Sequence, residues 1–177
     1  MKVLVITGSP HKNGTSARLA EQFIKGAEES GHTVCRFDSA FMDVHSCIAC
    51  EKCHNTDMGC AFKDDMTKIN PELLSADVIV FVTPIYYYGM TSQIRSVIDR
   101  FYANDAALHG NRKTALMLTM ADDTMESAEG AVASFKGMAK YLGWEVAGMV
   151  IGVECADVAA LEKTDCPEQS YNLGKNI

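Results

Sequence analysis

The chain has 177 residues, of which 47% are apolar and 22% charged, so it can bury one full core and is expected to form a single domain over residues 1–177. Sixteen basic and 23 acidic side chains give a net charge of −7 without a long run of either sign, which argues against a nucleic-acid-binding protein. The longest apolar run, Val78 to Val82, is far shorter than the roughly 20 residues of a membrane-spanning helix, so no membrane partner is expected.

The N-terminus and the cysteines indicate a cytoplasmic protein. The apolar run after Met1 ends at Gly8-Ser9-Pro10, which is too short for a signal peptide. Seven cysteines are an odd number, and four of them lie within residues 47–60. This pattern argues against a secreted disulfide framework and favours thiol, metal or redox chemistry.

The first strand ends in a loop whose composition suits a phosphate group. The apolar run Val3 to Ile6 predicts a strand covered on both faces, and residues 8–16 lead from it directly into a helix. Backbone N–H groups and short hydroxyl side chains at a helix N-terminus hold anions well. The loop matches neither Walker A nor Gly-x-Gly-x-x-Gly, and Thr7 and Gly8 stand where a phospho-acceptor receiver domain needs acidic residues. A capped helix without a ligand is the alternative interpretation.

The first helix and the second strand precede a long irregular segment. Leu19, Phe23 and Ala27 mark the buried face of the helix, Gly31 is placed as its C-cap, and a strand is predicted at Thr33 to Phe37. Residues 39–63 have no helix or strand period and form a cysteine-rich loop, longer than loops usually are without a function.

Four cysteines of this loop have the spacing of metal ligands. Cys47-x2-Cys50-x2-Cys53, with Cys60 as a fourth thiolate, is a strong signal for a [4Fe-4S] cluster. The spacing is a weak signal for zinc, whose sites more often pair two separated Cys-x2-Cys units. Free thiols, or a redox disulfide between two of the four, are the other interpretations. The remaining cysteines are expected to be structural thiols: Cys35, Cys155 and Cys166.

The next elements contain a proline and an aromatic triplet. Residues 64–74 have a helical pattern with Asn70-Pro71 inside it, which predicts a break and a second short helix beginning at Pro71. The third strand, Val78 to Val82, leads into Thr-Pro-Ile-Tyr-Tyr-Tyr-Gly-Met at residues 83–90. Aromatic side chains at a strand end can wall a flat ring, and a partly exposed loop without a ligand is the alternative.

The remaining patterns complete an α/β fold. Helical spacings over residues 94–102 and 125–142 flank a strand at Thr114 to Met120, Gly143 precedes a strand at Glu145 to Val153, and a last helix begins near Pro167. Strands and helices that alternate five times predict a doubly wound parallel sheet with helices on both faces. The polar second strand suits an edge, which favours the flavodoxin-like order 2-1-3-4-5. Ligands are then expected at the carboxyl ends of strands one, three and four.

In combination, these motifs resemble the flavodoxin-like NAD(P)H-dependent FMN reductase family, in the branch that includes the iron-sulfur flavoproteins. The resemblance spans essentially the whole chain and rests on Gly8-Ser9-Pro10 through Asn13-Gly14, Cys47-x2-Cys50-x2-Cys53 with Cys60, Asp64-Asp65-Met66, Pro84-Ile85-Tyr86 and Ile98-Asp99-Arg100. It implies FMN as the cofactor and NAD(P)H as the co-substrate. Hydride transfer is then carried by the flavin, and no catalytic side chain is assigned.

The resemblance also implies where FMN binds. The phosphate is expected on Ser9, His11, Asn13, Gly14, Thr15 and Ser16. The isoalloxazine ring is expected against Pro84, Ile85, Tyr86, Tyr87, Tyr88 and Gly89. The loop after the fourth strand closes the other side of the ring with Ala121 and Asp122. His11 stands where relatives often have arginine.

Three functions are compatible with these patterns. The first is an FMN-dependent oxidoreductase that accepts hydride from NAD(P)H and reduces a quinone, a nitroaromatic compound, an azo compound or a flavin. The second is an iron-sulfur flavoprotein that transfers electrons between protein partners through FMN and a [4Fe-4S] cluster. The third is an interaction module that keeps the fold without a flavin. The resemblance further implies a homodimer or homotetramer in which neighbouring subunits complete the flavin crevice.

Overall fold

The computed structural model describes residues 1–55 and 59–177. The strands are β1 (Lys2–Thr7), β2 (Thr33–Asp38), β3 (Val78–Tyr86), β4 (Gly89–Met90), β5 (Lys113–Thr119) and β6 (Glu145–Gly152). The helices are α1 (Thr15–Glu29), α2 (Lys52–Asn55), α3 (Met66–Ser75), α4 (Ser92–Asp99), α5 (Asp105–Leu108), α6 (Glu129–Leu142), α7 (Val158–Leu161) and α8 (Cys166–Lys175). Short 3-10 helices lie at Ser39–Phe41, Arg100–Asn104 and Met125–Ala128. Within the described ranges, no helix combines the length and the apolarity needed to cross a membrane.

The long strands form one parallel sheet in the order β2-β1-β3-β5-β6. This arrangement confirms the predicted order 2-1-3-4-5 and the edge position of the polar second strand. β3 extends beyond its apolar run to Tyr86 and turns back, so that β4 pairs with its end in antiparallel fashion. The carboxyl ends of β1, β3, β5 and β6 consequently lie along one side of the sheet, which we call the carboxyl edge.

Two apolar cores lie on opposite faces of the sheet. Leu4 and Ile6 of β1 belong to the core covered by α3, α4 and α6. Val3 and Val5 belong to the core covered by α1, α7 and α8. These four side chains are buried, and a strand with no face toward water has to be apolar at every position.

The predicted helix break at Pro71 is wrong. α3 runs from Met66 to Ser75 with Pro71 inside it. An internal proline lacks one hydrogen-bond donor and usually costs about 3 kcal/mol. Ile69 and Leu73, on either side of it, are fully buried in the core, and burial of such side chains stabilises by about 1.5–3 kcal/mol each. Tertiary packing therefore offsets the local cost of the proline.

Helix α4 begins against the end of β1. The Gly8 N–H donates to the Val82 carbonyl at 2.8 Å, and the Thr91 hydroxyl donates to the Gly8 carbonyl at 2.8 Å. A Cβ atom at Gly8 would lie 2.5 Å from the Thr91 hydroxyl oxygen, so only glycine fits there. At the other end of α4, Ser96 is hydrogen-bonded to Ser46 at 2.9 Å and Arg100 follows the last turn. The helix thus contacts both the loop after β1 and the cysteine-rich loop.

Candidate functional site

An open cleft of about 650 Å³ lies at the carboxyl edge. Four loops line it: residues 9–15 after β1, 84–86 at the end of β3, 119–121 after β5 and 155–158 after β6. Parallel doubly wound sheets place ligands at this position. The position of the cleft therefore follows from the order and direction of the strands.

The N-terminus of α1 borders the cleft and has no capping side chain. Gly14 is the N-cap residue of the 15-residue helix α1 and has no side chain to accept hydrogen bonds from its first-turn N–H groups. The His11 N–H donates to Ser9 Oγ at 3.2 Å, and the Gly14 N–H donates to the His11 carbonyl at 3.2 Å. These bonds fold the loop over the helix end, where the helix dipole favours negative charge. Ser9 is buried, whereas His11 and Asn13 are exposed in the cleft.

Threonine 119 connects the end of β5 to the start of α1. Its hydroxyl oxygen accepts from Thr15 Oγ1 at 3.0 Å and lies 2.9 Å from Ser16 Oγ. Thr15 and Thr119 line the cleft, whereas Ser16 is buried. The bonded hydroxyl groups hold the first turn of α1 at a fixed distance from the loop after β5.

The aromatic triplet forms a tight hairpin. Tyr87 and Tyr88 are the two turn residues, and their φ angles of 46° and 63° lie in the left-handed region. Two-residue hairpin turns of this kind usually contain glycine or asparagine, because other L-residues are strained there by about 1–2 kcal/mol. All three tyrosines are exposed, and Tyr87 is 101% exposed. A Cβ atom at Gly130 would lie 2.6 Å from the Tyr88 carbonyl oxygen, so the hairpin rests directly on α6.

A second cavity of about 280 Å³ adjoins the cleft and shares Ile85, Met120 and Ala121 with its lining. Tyr87 and Tyr88 line one wall, and Ala121 and Asp122 line the other. Asp122 accepts from the Ser127 hydroxyl at 2.5 Å and from the Asp123 N–H at 2.8 Å. The Ser127 bond lowers the pKa of Asp122, so this wall is negatively charged at neutral pH.

Most of the predicted flavin-site residues lie together in these two spaces. The cleft contains Ser9, His11, Asn13, Gly14, Thr15, Pro84, Ile85, Tyr86 and Ala121. The second cavity contains Tyr87, Tyr88 and Asp122. Ser16 and Gly89 line neither space.

Sequence reasoning missed part of the cleft wall. Lys12, Thr119 and residues 155–158 line the cleft, although none of them was assigned to the site. The rule that ligands bind at strand carboxyl ends could have found residues 155–158, had it been applied to the fifth strand as well. Cys155, expected to be a structural thiol, is buried and contributes to this wall, where burial raises its pKa.

The four clustered cysteines line a separate small space of about 20 Å³, which we call the thiol pocket. Cys47 and Cys50 are exposed, and Cys53 and Cys60 are partly buried. Burial, followed by the proximity of Cys60, Glu51 and Cys47, raises the pKa of Cys53. Within residues 1–55 and 59–177, no three His, Cys, Asp or Glu side chains are placed to hold a single metal ion. The thiols thus share one pocket without converging on one point.

Arg100, which lines the thiol pocket, belongs to a buried ion pair. Arg100 and Asp64, 36 residues apart in the chain, are joined by two hydrogen bonds of 2.6 and 3.2 Å. Arg100 also donates to the His45 carbonyl at 2.9 Å, and the guanidinium lies 5.2 Å from the centre of the Phe62 ring. Burial opposes the charge on Arg100, but Asp64 and then Cys60 outweigh it, and the pKa of the guanidinium is raised.

The side chains that line the two spaces match the groups that the resemblance implies. In the cleft, an uncapped helix N-terminus and short hydroxyl side chains suit a phosphate, and Tyr86 in the same lining suits a flat ring. In the thiol pocket, four thiols match the ligand set of a [4Fe-4S] cluster, in which each thiolate binds a separate iron atom. Arg100 lines the same pocket, and its Nε is buried without a hydrogen-bond partner among the described residues.

Solved structures share this fold. An NAD(P)H:quinone oxidoreductase from Methanothermobacter marburgensis superimposes with a TM-score of 0.76 at 18% identity, over 99% of this chain and 95% of that one. An azoreductase from Bacillus anthracis superimposes with a TM-score of 0.76 at 15% identity, over the full length of both chains. At these identities the similarity establishes the flavodoxin-like reductase fold.

Curated relatives and a family model match the sequence itself. The chain is 33% identical over 102 residues to an iron-sulfur flavoprotein of Methanocaldococcus jannaschii. The aligned region covers 56% of this chain and 50% of that protein. It is 29% identical over 112 residues to an iron-sulfur flavoprotein of Archaeoglobus fulgidus, which covers 62% and 50%. The chain therefore spans about half the length of these relatives. Because the model of the NADPH-dependent FMN reductase family matches residues 1–153, the chain belongs to that family.

Proposed function

We propose that this protein is an FMN-dependent oxidoreductase that takes hydride from NADH or NADPH and reduces a quinone, a nitroaromatic or azo compound, or a free flavin. The proposal depends on one observation. The uncapped N-terminus of α1 and the Pro84–Tyr86 wall line a single 650 Å³ cleft at the carboxyl edge. When bound there, FMN supplies the hydride chemistry, and the chain binds and orients it.

The anion end supplies part of the binding free energy. Ser9 Oγ and the first-turn N–H groups of α1 are the donors proposed for the phosphate, beside the Thr15 hydroxyl that donates to Thr119. Three or four charge-assisted hydrogen bonds of about 1.5–3 kcal/mol each give roughly 5–12 kcal/mol, which is comparable to the 4–15 kcal/mol that association costs. Phosphate contacts alone would thus bind weakly, so a second contact region is required.

The hairpin supplies that second region. Pro84, Ile85 and Tyr86 present an apolar and aromatic wall to the cleft, and residues 119–121, at the end of the neighbouring strand β5, continue this wall. Burying a large ring against this wall adds apolar area that a free phosphate cannot. Tyr87 and Tyr88 extend the same wall into the second cavity.

The second cavity is the proposed entry for the nicotinamide and for the electron acceptor. It opens between Tyr88 and Asp122 beside the proposed ring site, so each substrate in turn can approach one exposed ring face. Its aromatic wall suits flat acceptors such as quinones and azo compounds. Asp122 places negative charge there, which favours neutral over anionic acceptors.

The test begins with flavin binding. The flavin-free chain is titrated with FMN and with riboflavin, and binding is followed by quenching of flavin fluorescence. We expect a yellow 1:1 complex with FMN and much weaker binding of riboflavin, which lacks the phosphate. Oxidation of NADH and NADPH is then measured with a quinone as acceptor. A colourless chain that does not take up added FMN would contradict the proposal.

We propose a second candidate function in which the same FMN site works with a [4Fe-4S] cluster on Cys47, Cys50, Cys53 and Cys60. One specific observation favours it: all four thiols line one pocket, although Cys60 is separated from the other three along the chain. Relatives named iron-sulfur flavoproteins add support. When bound, the cluster supplies one-electron transfer, so the protein would pass electrons between protein partners.

Anaerobic purification separates the two functions. Iron and acid-labile sulfide near four of each per chain, lost in a Cys50→Ser variant, are expected for the cluster. A Cys35→Ser variant, whose thiol lies outside the pocket, is the matched control and should retain both. Rapid reduction by ferredoxin without NAD(P)H oxidation would favour the electron carrier, and four titratable thiols without iron would contradict the cluster.

We propose a homodimer or homotetramer as the assembled state. Tyr86, Tyr87 and Tyr88 expose 46%, 101% and 65% of their surface on one hairpin beside the cleft. Exposed aromatic groups that rim a site are common in subunit interfaces. Light scattering of the flavin-loaded protein tests this expectation, and a monomer at micromolar concentration would contradict it.

A further inference from the structure

Arg100 has one hydrogen-bond donor that nothing in the described chain accepts. The residue is 3% exposed, and its Nη1 and Nη2 atoms are bound to Asp64 and to the His45 carbonyl. Nε is fully buried without a partner. Buried donors are normally satisfied, and one left unpaired costs about 1–3 kcal/mol, more on a charged group.

The thiol pocket is the environment of this donor. Arg100 lines it together with the four cysteines. After Asp64, Cys60 is the group that raises the pKa of the guanidinium, by its charge and by a side-chain hydrogen bond. Phe62 and Ala103 make another part of the wall apolar. Arg100 and the four cysteine side chains thus line one small pocket.

We infer that Arg100 is a positioning residue whose Nε–H donates a hydrogen bond to a sulfur atom of the [4Fe-4S] cluster held by Cys47, Cys50, Cys53 and Cys60. This inference rests on the second proposed function. A hydrogen bond to a cluster sulfur stabilises the extra negative charge of the reduced state, so the bond raises the reduction potential. Asp64 neutralises the guanidinium, which makes the directed hydrogen bond, rather than net positive charge, the main contribution.

The surrounding contacts fix the direction of this donor. The planar guanidinium is held by Asp64 along one side and by the His45 carbonyl, so the side chain cannot rotate away from the pocket. A lysine at this position would keep one positive charge beside Asp64 but would lose the fork and the Nε–H. Arg100→Lys is therefore the variant that separates charge from hydrogen bonding.

The first measurement needs no variant. The wild-type chain is purified anaerobically, its iron and sulfide are quantified, and the cluster is reduced with dithionite in protein labelled with 15N at arginine Nε. Pulsed electron paramagnetic resonance is expected to detect one 15N coupling to the reduced cluster. A loaded cluster without this coupling would overturn the inference and leave the cluster itself established. A chain without iron and sulfide would overturn both.

The second measurement is the reduction potential of the Arg100→Lys variant. We expect the equilibrium constant for cluster reduction to fall about tenfold, which is about 59 mV for a one-electron couple. Arg95→Lys is the matched control, because Arg95 lies on the neighbouring helix α4 in an exposed pair with Asp99 at 3.1 Å and should leave the potential unchanged. An unchanged potential in a loaded Arg100→Lys variant would overturn the inference. If that variant does not load, the 15N coupling in the wild type decides.

Discussion

The cleft and the thiol pocket are built in opposite ways. The cleft is formed by the ends of strands whose side chains are buried in two cores, so its shape follows from the sheet. The thiol pocket lies in residues 39–63, where regular structure is limited to the 3-10 turn at Ser39–Phe41 and to α2 in the described part. Asp64, which follows this segment, forms a buried ion pair with Arg100, and the segment itself is held by hydrogen bonds from Ser39 Oγ to the Thr7 carbonyl and between Ser46 and Ser96. The cleft thus follows from the packing of the sheet, whereas the thiol pocket depends on side-chain contacts between an irregular segment and its neighbours.

Asp64→Asn should give the largest effect. Removing the carboxylate leaves the Arg100 charge buried and unpaired, which typically costs 3–5 kcal/mol, roughly, in the free energy of unfolding. Urea unfolding followed by circular dichroism measures this loss. Asp99→Asn breaks an exposed pair and is expected to cost less than about 1 kcal/mol. Equal losses in the two variants would show that the ion pair does not anchor the segment.

The same ion pair predicts a dependence of stability on pH. Burial alone would raise the pKa of Asp64, but hydrogen bonds from Arg100 and from the His45 and Met66 N–H groups outweigh it and lower the pKa. A lowered folded-state pKa contributes stability that is complete above the unfolded value of about 3.9 and is lost as the pH falls through the folded value. The difference in unfolding free energy between wild type and Asp64→Asn should therefore be constant near neutral pH and shrink below about pH 4. A difference that grows on acidification would contradict this assignment.

Ser9→Ala tests the preformed cleft. The proposed loss of one hydrogen bond to a charged phosphate is worth about 1.5–3 kcal/mol, so the Kd for FMN should rise roughly 10- to 150-fold. Fluorescence titration measures the Kd, and riboflavin should bind the variant and the wild type alike. Ser134→Ala on α6, outside the cleft, is the matched control. An unchanged Kd would remove Ser9 from the site.

Tyr88→Gly separates backbone strain from ring contact. Glycine relieves the left-handed φ of 63°, and we expect the flavin-free chain to gain about 1 kcal/mol in unfolding free energy. The lost aromatic wall should weaken FMN binding by about 0.5–1.5 kcal/mol. Tyr88→Ala removes the ring and keeps the strain, so it should show the weaker binding without the gain in stability. A gain in both variants would refute the strain at this turn.

His11→Arg should give the smallest change. His11 is exposed at the anion end of the cleft, and a guanidinium there can add a charge-assisted contact to the proposed phosphate. At an exposed position the gain is expected to be at most about 1 kcal/mol, or a Kd lowered up to about fivefold. The gain should fade at high salt, and His109→Arg, outside the cleft, should not reproduce it.

The sequence predicts local features better than long-range ones. The continuous apolar run of β3 marks a buried strand, and the edge position of β2 follows from its polar residues, because both depend on patterns within a few residues. The extension of β3 through Pro84 does not follow from a local pattern. β1 ends at the level of Val82, so β3 has only β5 as a parallel neighbour at Pro84, where a proline is tolerated. The pairing of Asp64 with Arg100 across 36 residues has no local signal either. The cleft residues from the loops after β1 and β3 could therefore be predicted. The contribution of Arg100 to the thiol pocket could not.

Helix α4 fixes the spacing between the two sites. It starts where Thr91 holds Gly8 and ends where Arg100 enters the wall of the thiol pocket. Its eight residues span about 12 Å along the axis. In the second proposed function, one continuous helix, rather than a hinge between separate units, would therefore set the distance between the two bound groups. Docking of a partner or a change of temperature would leave this distance unchanged as long as α4 stays helical.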